Sequence, residues 1–359
     1  MKTKKVLLVA LIAVVAVSLT GCIKLKSSDS SVGAGLGIFA SPDRGDSWIQ
    51  KVSLMTPGAV EASIGGAQVL NLTMDPTDPD AIYAGTQANS LYYSYNGGDG
   101  WQRAFRLAKI AAGRVLAVAI DHSDRCSVYV AVENKIYKSS DCNRSWELKF
   151  NTPVASELIV SLVVDHKDTR VVYAGASDGT IYKSVNNGQS WTNMIDLKKR
   201  IKKIIMDESD HNTLYLMTTG DGLYRSKNGG SNWVNLNDNM KDFEGNVNNG
   251  YGLKMVKGTP NTLYYLNKFG LLRSYDGGNS WQQIKLLTGT NEVTFTAFDV
   301  SSRNAKYLML ADSKTVYRSL NGGSNWETRP LPTSNVITDM KFHLTGDLLI
   351  YTSYKKVQK

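Results

Sequence analysis

The side chains best suited to metal binding or proton transfer near neutral pH are four histidines, His122, His166, His211 and His343. The first three each follow an apolar, strand-like run and recur once per sequence repeat. That places them side by side around a rim, whereas a zinc ion needs ligands that close on one point. They read as turn residues, and neither a metal nor a cofactor is expected. Glycoside hydrolysis needs at least two carboxyl groups. Asp178, Asp221 and Asp312 fall in equivalent loops, so a pair of them on one face is geometrically possible, although each is also an ordinary turn residue. A third kind of chemistry is charge recognition. Residues 102–113 carry Arg103, Arg106 and Lys109 with no acid, and Arg114 lies just beyond. Residues 196–203 carry Lys198, Lys199, Arg200, Lys202 and Lys203 against Asp196 alone. The other connections of this kind are near neutral, and residues 234–253 are acidic. Positive charge concentrated in this way suits an acidic protein surface, an anionic glycan or a lipid headgroup; a solvated basic surface is the plain alternative.

These residues are positioned by a repeat. Ser274-Tyr275-Asp276-Gly277-Gly278-Asn279-Ser280-Trp281 reads as a hairpin turn between the apolar pair Leu271-Leu272 and the returning strand. Asp276 can bond its own backbone, and the glycines tolerate positive φ. The same eight-residue pattern occurs seven times, ending at Trp48, Trp101, Trp146, Trp191, Trp233, Trp281 and Trp326, which are all the tryptophans in the chain. Its third position is Asp43, Asn96, Asp141, Asn186, Asn228, Asp276 or Asn321. Its fifth is glycine except at Asn143, and asparagine is the next best residue in a left-handed conformation. The tryptophans lie 42 to 53 residues apart, a period that suggests propeller blades.

The pattern S-x-[DN]-x-G-x-[ST]-W resembles the Asp-box, or BNR, repeat, and the resemblance covers nearly all of the chain after residue 34. It implies a β-propeller like those of sialidases, sortilin-type receptors, xyloglucanases and photosystem II assembly-factor-like proteins, which share a fold more than a function. It also implies that the seven box Asp and Asn residues are structural and lie on the face opposite any catalytic one. A sialidase would require an Arg-Ile-Pro segment before the first box, and none occurs. Xyloglucanase-type enzymes pair two propellers around a cleft, and the repeats here make one. Assembly-factor-like propellers resemble this chain in presenting a basic patch.

Each repeat divides into four strand-like parts. In the first blade, residues 69–74 form inner strand A, 81–85 strand B and 91–93 strand C, and Trp101 begins outer strand D. Seven A strands can be counted, at 69–74, 115–120, 159–164, 201–206, 253–256, 295–298 and 337–342. The last lacks its own C and D strands, while residues 37–50 form a spare hairpin at the other end. The expected fold is therefore all-β: a seven-bladed propeller of four-stranded antiparallel blades, spanning residues 34–359. The N-terminal hairpin should complete the last blade and leave no raw sheet edge. The basic residue just before the box serine in five blades (Lys138, Lys183, Arg225, Arg273, Arg318) is periodic and reads as packing between blades.

The chain opens with Lys2, Lys4 and Lys5 and an apolar run from Val6 to Val17, too short to span a membrane comfortably and right for a signal-peptide core. Leu19-Thr20-Gly21-Cys22 resembles a bacterial lipobox, which implies a lipoprotein signal over 1–21, lipidation of Cys22 and a Ser-rich tether over 22–33. Loss of residues 1–21 would lower the formal charge from +9 to +6. The protein is thus expected to be exported and membrane-anchored on the outer face, in the outer membrane if the cell has two. Export excludes nucleic acid as an expected partner. It also favours a disulfide: Cys126 and Cys142 fall in the A–B and C–D turns of one blade, on one face, and neighbouring strands lie about 4.8 Å apart. Long loops at 49–67 and 234–253 contain Val60, Ile64, Met240 and Phe243, which either form an apolar contact surface or cap the ring. Together these features describe a monomeric, non-catalytic scaffold that binds a protein partner through its loop face. Carbohydrate binding or hydrolysis at the same face is the alternative.

Overall fold

A computed structural model describes residues 35–55, 62–88, 91–243, 247–267, 270–288, 293–344 and 350–355. The chain divides into Met1–Ser31 and Val32–Lys359, and everything described below belongs to the second unit. The expected signal, tether and lipidated Cys22, like Val60, lie outside the described residues.

Seven four-stranded antiparallel sheets follow one another along the chain. We number the blades 1 to 7 from the inner strand Val69–Met74, and letter their strands A to D outward. Blade 7 combines Val336–Phe342 and Ile350–Lys355 with the N-terminal strands Gly37–Ser41 and Ile49–Gln50. The closure is a regular antiparallel ladder with Ala40 opposite Tyr351 and Gly37 opposite Tyr354. The first strand is fully buried, so the N-terminal hairpin contributes to the core rather than merely covering an edge.

Strand B is buried along its whole length in blades 1 to 6, as in Val128–Val132 and Leu214–Thr218. It is flanked by two strands and covered by two neighbouring blades, which is why it reads as a continuous apolar run rather than an alternating one. Six of the seven inner strands A carry an extra residue, the exception being that of blade 6. The ladder to strand B slips at residues 69–71, 115–117, 159–161, 201–203, 250–252 and 337–339. Such a bulge bends the strand and re-aims its side chains.

The box turns are built alike in all seven blades. The serine hydroxyl accepts the N–H of the fifth box residue, as Ser274 does from Gly278 at 2.8 Å and Ser139 from Asn143 at 2.9 Å. The Asp or Asn Oδ1 accepts the N–H of the seventh residue, at 2.7 Å in Asp43 and 2.9 Å in Asp276. Asn143 takes φ +68° where the other boxes use glycine. Four of the five basic residues before the box serines reach the next blade, while Lys138 lies over Tyr129 of its own blade. Arg225 donates to Gly277 O at 2.7 Å, and Lys183 and Arg273 make the equivalent, longer bonds to Gly229 O and Gly322 O. Arg318 clasps the ring closure: it pairs with Glu327 of its own blade and with Asp46, and it bonds the carbonyls of Asp43 and Arg44.

Two expectations about connections change. Residues 105–110 are a helix, α1 (Phe105–Ile110), where a loop was expected. Leu107 is fully buried against blades 1 and 2, together with Ala104 and Ala111. Burial of this one turn's apolar side selects the helix, since six residues would not form one alone. Strand A of blade 5 begins at Gly250 and that of blade 6 at Ala297, so the first starts earlier and the second later than their apolar runs suggest.

Candidate docking face and central channel

The B–C turns and the D-to-A crossings share one face of the ring, and the boxes lie on the other. On the loop face, α1 carries Phe105 and Ile110 outward at 56% and 50% exposure, with Arg106 and Lys109 exposed beside them. Arg103 ends strand D of blade 1 and lies over the Phe105 ring at 5.7 Å. Arg114 is committed elsewhere. Its guanidinium and backbone N–H bind Glu133 of the neighbouring B–C turn, with Nη2 to Oε2 at 2.8 Å. The guanidinium bonds hold the Glu133 carboxyl below its usual range and raise Arg114. Arg114 is therefore a strut of the fold, not a free recognition group.

The second basic stretch splits in two, which corrects the expectation of a single loop patch. Lys198, Lys199 and Arg200 are exposed on the loop face. Lys198 pairs with Asp196, and Lys199 with Asp221 at 3.4 Å, so local acids offset two of the three charges. Lys202 and Lys203 belong to inner strand Ile201–Met206 and line the central channel. The bulge at Lys202 explains this arrangement. Both ammonium groups turn to the same neighbouring strand, Lys202 to Gly250 O at 2.7 Å and Lys203 to Leu253 O at 3.2 Å.

The three candidate aspartates do not pair with one another. Asp312 is buried and accepts the Tyr317 hydroxyl at 3.0 Å and the N–H groups of Lys314 and Thr315. Asp221 accepts the Tyr224 hydroxyl and pairs with Lys199. Asp178 instead meets Glu157, a residue the sequence did not single out, and the Tyr182 hydroxyl donates to Glu157 at 3.2 Å. The hydrogen bond to Asp178, with burial adding to it, raises Glu157. Burial alone would raise Asp178 too, but bonds from Glu157 and from the N–H and hydroxyl of Thr180 hold it below its usual range. The two carboxyl groups are thus pushed in opposite directions by their contact, Glu157 up and Asp178 down. Glycosidases keep their two carboxyl groups about 5 Å or more apart, with the sugar between them. A pair in mutual contact leaves no room for a glycosidic bond.

His122, His166 and His211 form a contiguous row, with ring centroids 6.1 and 6.5 Å apart. Nδ1 of His211 lies 2.9 Å from Asp165 Oδ2. Among the described residues no three His, Cys, Asp or Glu side chains are placed to hold a metal ion. Cys126 and Cys142 are joined in blade 2, with their Cα atoms 4.0 Å apart. Ile64 and Met240 are buried at 1% and 0% exposure, and Phe243 packs against the second of them. Ile64, Met240 and Phe243 therefore pack inward and help cap the ring.

The profile of the DUF6242 β-propeller domain matches residues 100–248. No curated protein matches the sequence. Among solved structures, the chain is similar to the GH74 xyloglucanase from Xanthomonas campestris, at 15% identity and a TM-score of 0.65, over 80% of this chain and 51% of the enzyme. It thus spans about half the length of that enzyme. It is also similar to YCF48 bound to D1 peptide, at 12% identity and a TM-score of 0.62, over 86% of this chain and 96% of YCF48. A third similar structure is the extracellular domain of BT4673 from B. thetaiotaomicron, at 14% identity and a TM-score of 0.59, over 86% of this chain and 40% of that one. Identities this low establish the fold alone. The chain is a seven-bladed β-propeller, and residues 100–248 of it match the DUF6242 propeller domain.

Proposed function

We propose that the protein is a non-catalytic scaffold that binds an acidic segment of a protein partner through the loop face. The observation that carries this reading is α1, which sets two exposed apolar side chains between Arg103, Arg106 and Lys109 with no acid in residues 102–113. An apolar centre with a charged rim is the usual anatomy of a protein contact. The likeness to YCF48 bound to D1 peptide runs nearly the whole length of that chain, and this fits a single propeller that holds a peptide. Export fits as well, since BT4673 presents its similar domain outside the cell. Residues 1–21 are proposed to be a lipoprotein signal, Cys22 the anchor to the membrane, and 22–33 the tether.

The second reading is carbohydrate binding or hydrolysis, favoured by likeness to the xyloglucanase and by the Glu157–Asp178 pair beside Tyr182. The contact between those carboxyl groups counts against hydrolysis. The test is binding of an acidic, aromatic-containing peptide library to the propeller and to a Phe105→Ser, Arg106→Glu, Lys109→Glu variant. Selection of peptides by the first and not the second supports docking at α1. Equal selection by both, or retention of xyloglucan with turnover, overturns it.

A further inference from the structure

The central channel has a volume of about 640 Å³ and is lined by the inner strands. Its charges are not balanced. Lys254 pairs with Asp299 at 2.6 Å and Lys341 with Asp339 at 2.7 Å. Those acids are also tied into the fold, because Asp299 accepts the N–H of Phe342 and Asp339 that of Leu72. Among the described residues, no carboxylate pairs with Lys202 or Lys203. Each donates to one neutral carbonyl, and an ammonium group has three donors. Two positive charges with unused donors therefore face the open channel, whose walls focus their field more than a flat surface would.

Their spacing narrows the class of ligand. The carbonyls they hold, Gly250 and Leu253, lie on either side of the bulge at 250–252, so the two ammonium groups are anchored at separate points on the channel wall. Two separately anchored cations suit a short linear chain with an anionic group at each end better than one compact oxyanion. Tyr251, against which Lys202 lies at 5.5 Å, and Phe298 provide an aromatic wall for that chain.

We propose that the channel is a binding site for a small linear dicarboxylate bridging Lys202 and Lys203. The site is independent of the docking face, which lies on the rim. Burial, with Lys341 adding repulsion, pushes the Lys203 ammonium down to about 8 against the partial support of Asp339 and Asp299. Burial lowers Lys202 as well, and it would lower Lys341 but for Asp339 and Asp299, which raise it. A bound carboxylate would relieve the cost to Lys203. Binding should therefore weaken about tenfold from pH 7 to pH 9, as Lys203 loses its proton in the free protein while the ligand stays ionised.

The experiment is calorimetric titration of the whole protein with glutarate, against propionate and sulfate at matched ionic strength. Saturable glutarate binding is expected, at least tenfold tighter than either control. Lys202→Met and Lys203→Met should each weaken it at least tenfold, with the fold checked by near-ultraviolet circular dichroism. Lys203→Arg, which keeps the charge, should retain binding and lose the pH dependence near 8. No saturable glutarate binding, unchanged binding in Lys203→Met, or sulfate binding as tight as glutarate would each overturn the proposal.

Discussion

The two faces of the ring are built by opposite rules. On one, every blade ends in the same eight-residue turn, with the same serine and Asp or Asn bonds and, in most blades, a cation reaching into the next turn. On the other, the blades carry different loops: a helix between blades 1 and 2, an Arg114–Glu133 clamp, the Glu157–Asp178 carboxyl contact, and a crossing that buries Met240. Repetition belongs to the face that supplies stability, because the same backbone problem recurs there seven times. Variation belongs to the face that can be specialised, since loops on a rigid frame can change without disturbing it. Changes to the box face should therefore cost folding free energy, and changes to the loop face should cost binding.

The largest effect expected is at Trp101, which is 0% exposed and donates from Nε1 to Lys51 O. Trp101→Ala should destabilise by about 3–5 kcal/mol in urea unfolding. Trp326→Ala, at a half-buried position, should cost clearly less; equal costs would mean that the boxes, not the burial, set the energetics. Replacing Cys126 and Cys142 by serine should cost about 3 kcal/mol, given a separation of 16 residues. Peptide mapping without reductant should find the two joined, and this change should leave loop-face binding untouched. Ser274→Ala removes the acceptor for Gly278 N–H and should cost about 1–3 kcal/mol.

On the loop face the sign of the comparison reverses. The Phe105→Ser, Arg106→Glu, Lys109→Glu variant should stay within about 0.5 kcal/mol of the parent, as exposed changes usually do, while losing its partner. The smallest effect is the pH response of Glu157 and Asp178. Glu157 is raised, so its contribution is complete below the ordinary glutamate range and fades as pH rises through its folded value. Asp178 is lowered, so its contribution is present above the ordinary aspartate range and fades as pH falls through its folded value. The pair stabilises most between those two values. Glu157→Gln keeps the contact and should remove the upper limb, a change under about 1 kcal/mol at this partly exposed site. A carbon-detected titration of Glu157 that finds an unshifted midpoint would break that account.

The repeat made much of this architecture legible. Seven boxes, seven inner strands and one spare hairpin determine the blade number and the ring closure without coordinates. Asn143 could be assigned a left-handed conformation because the other six copies hold glycine there. What could not be read depends on single residues that break local periodicity. Lys202 and Lys203 look like part of a basic loop, but the bulge at residue 202 sends both into the channel. Residues 105–110 have too few turns to show a helical period, and only the burial of Leu107 identifies the helix. Glu157 and Asp178 are 21 residues apart and meet only because a crossing loop lies over a B–C turn. Ile64 and Met240 carry no signal that separates an exposed apolar loop from a cap.

The central claim, that the loop face docks a protein and does so at α1, is tested most directly by crosslinking pull-down from native membranes. The whole propeller would be compared with the Phe105→Ser, Arg106→Glu, Lys109→Glu variant and with a Lys198→Glu, Lys199→Glu, Arg200→Glu variant. The account predicts one protein captured by the parent, lost from the α1 variant and weakened in the second, because local acids already offset two of those three charges. Capture of the same protein by parent and α1 variant alike, or recovery of polysaccharide without protein by all three, would contradict it.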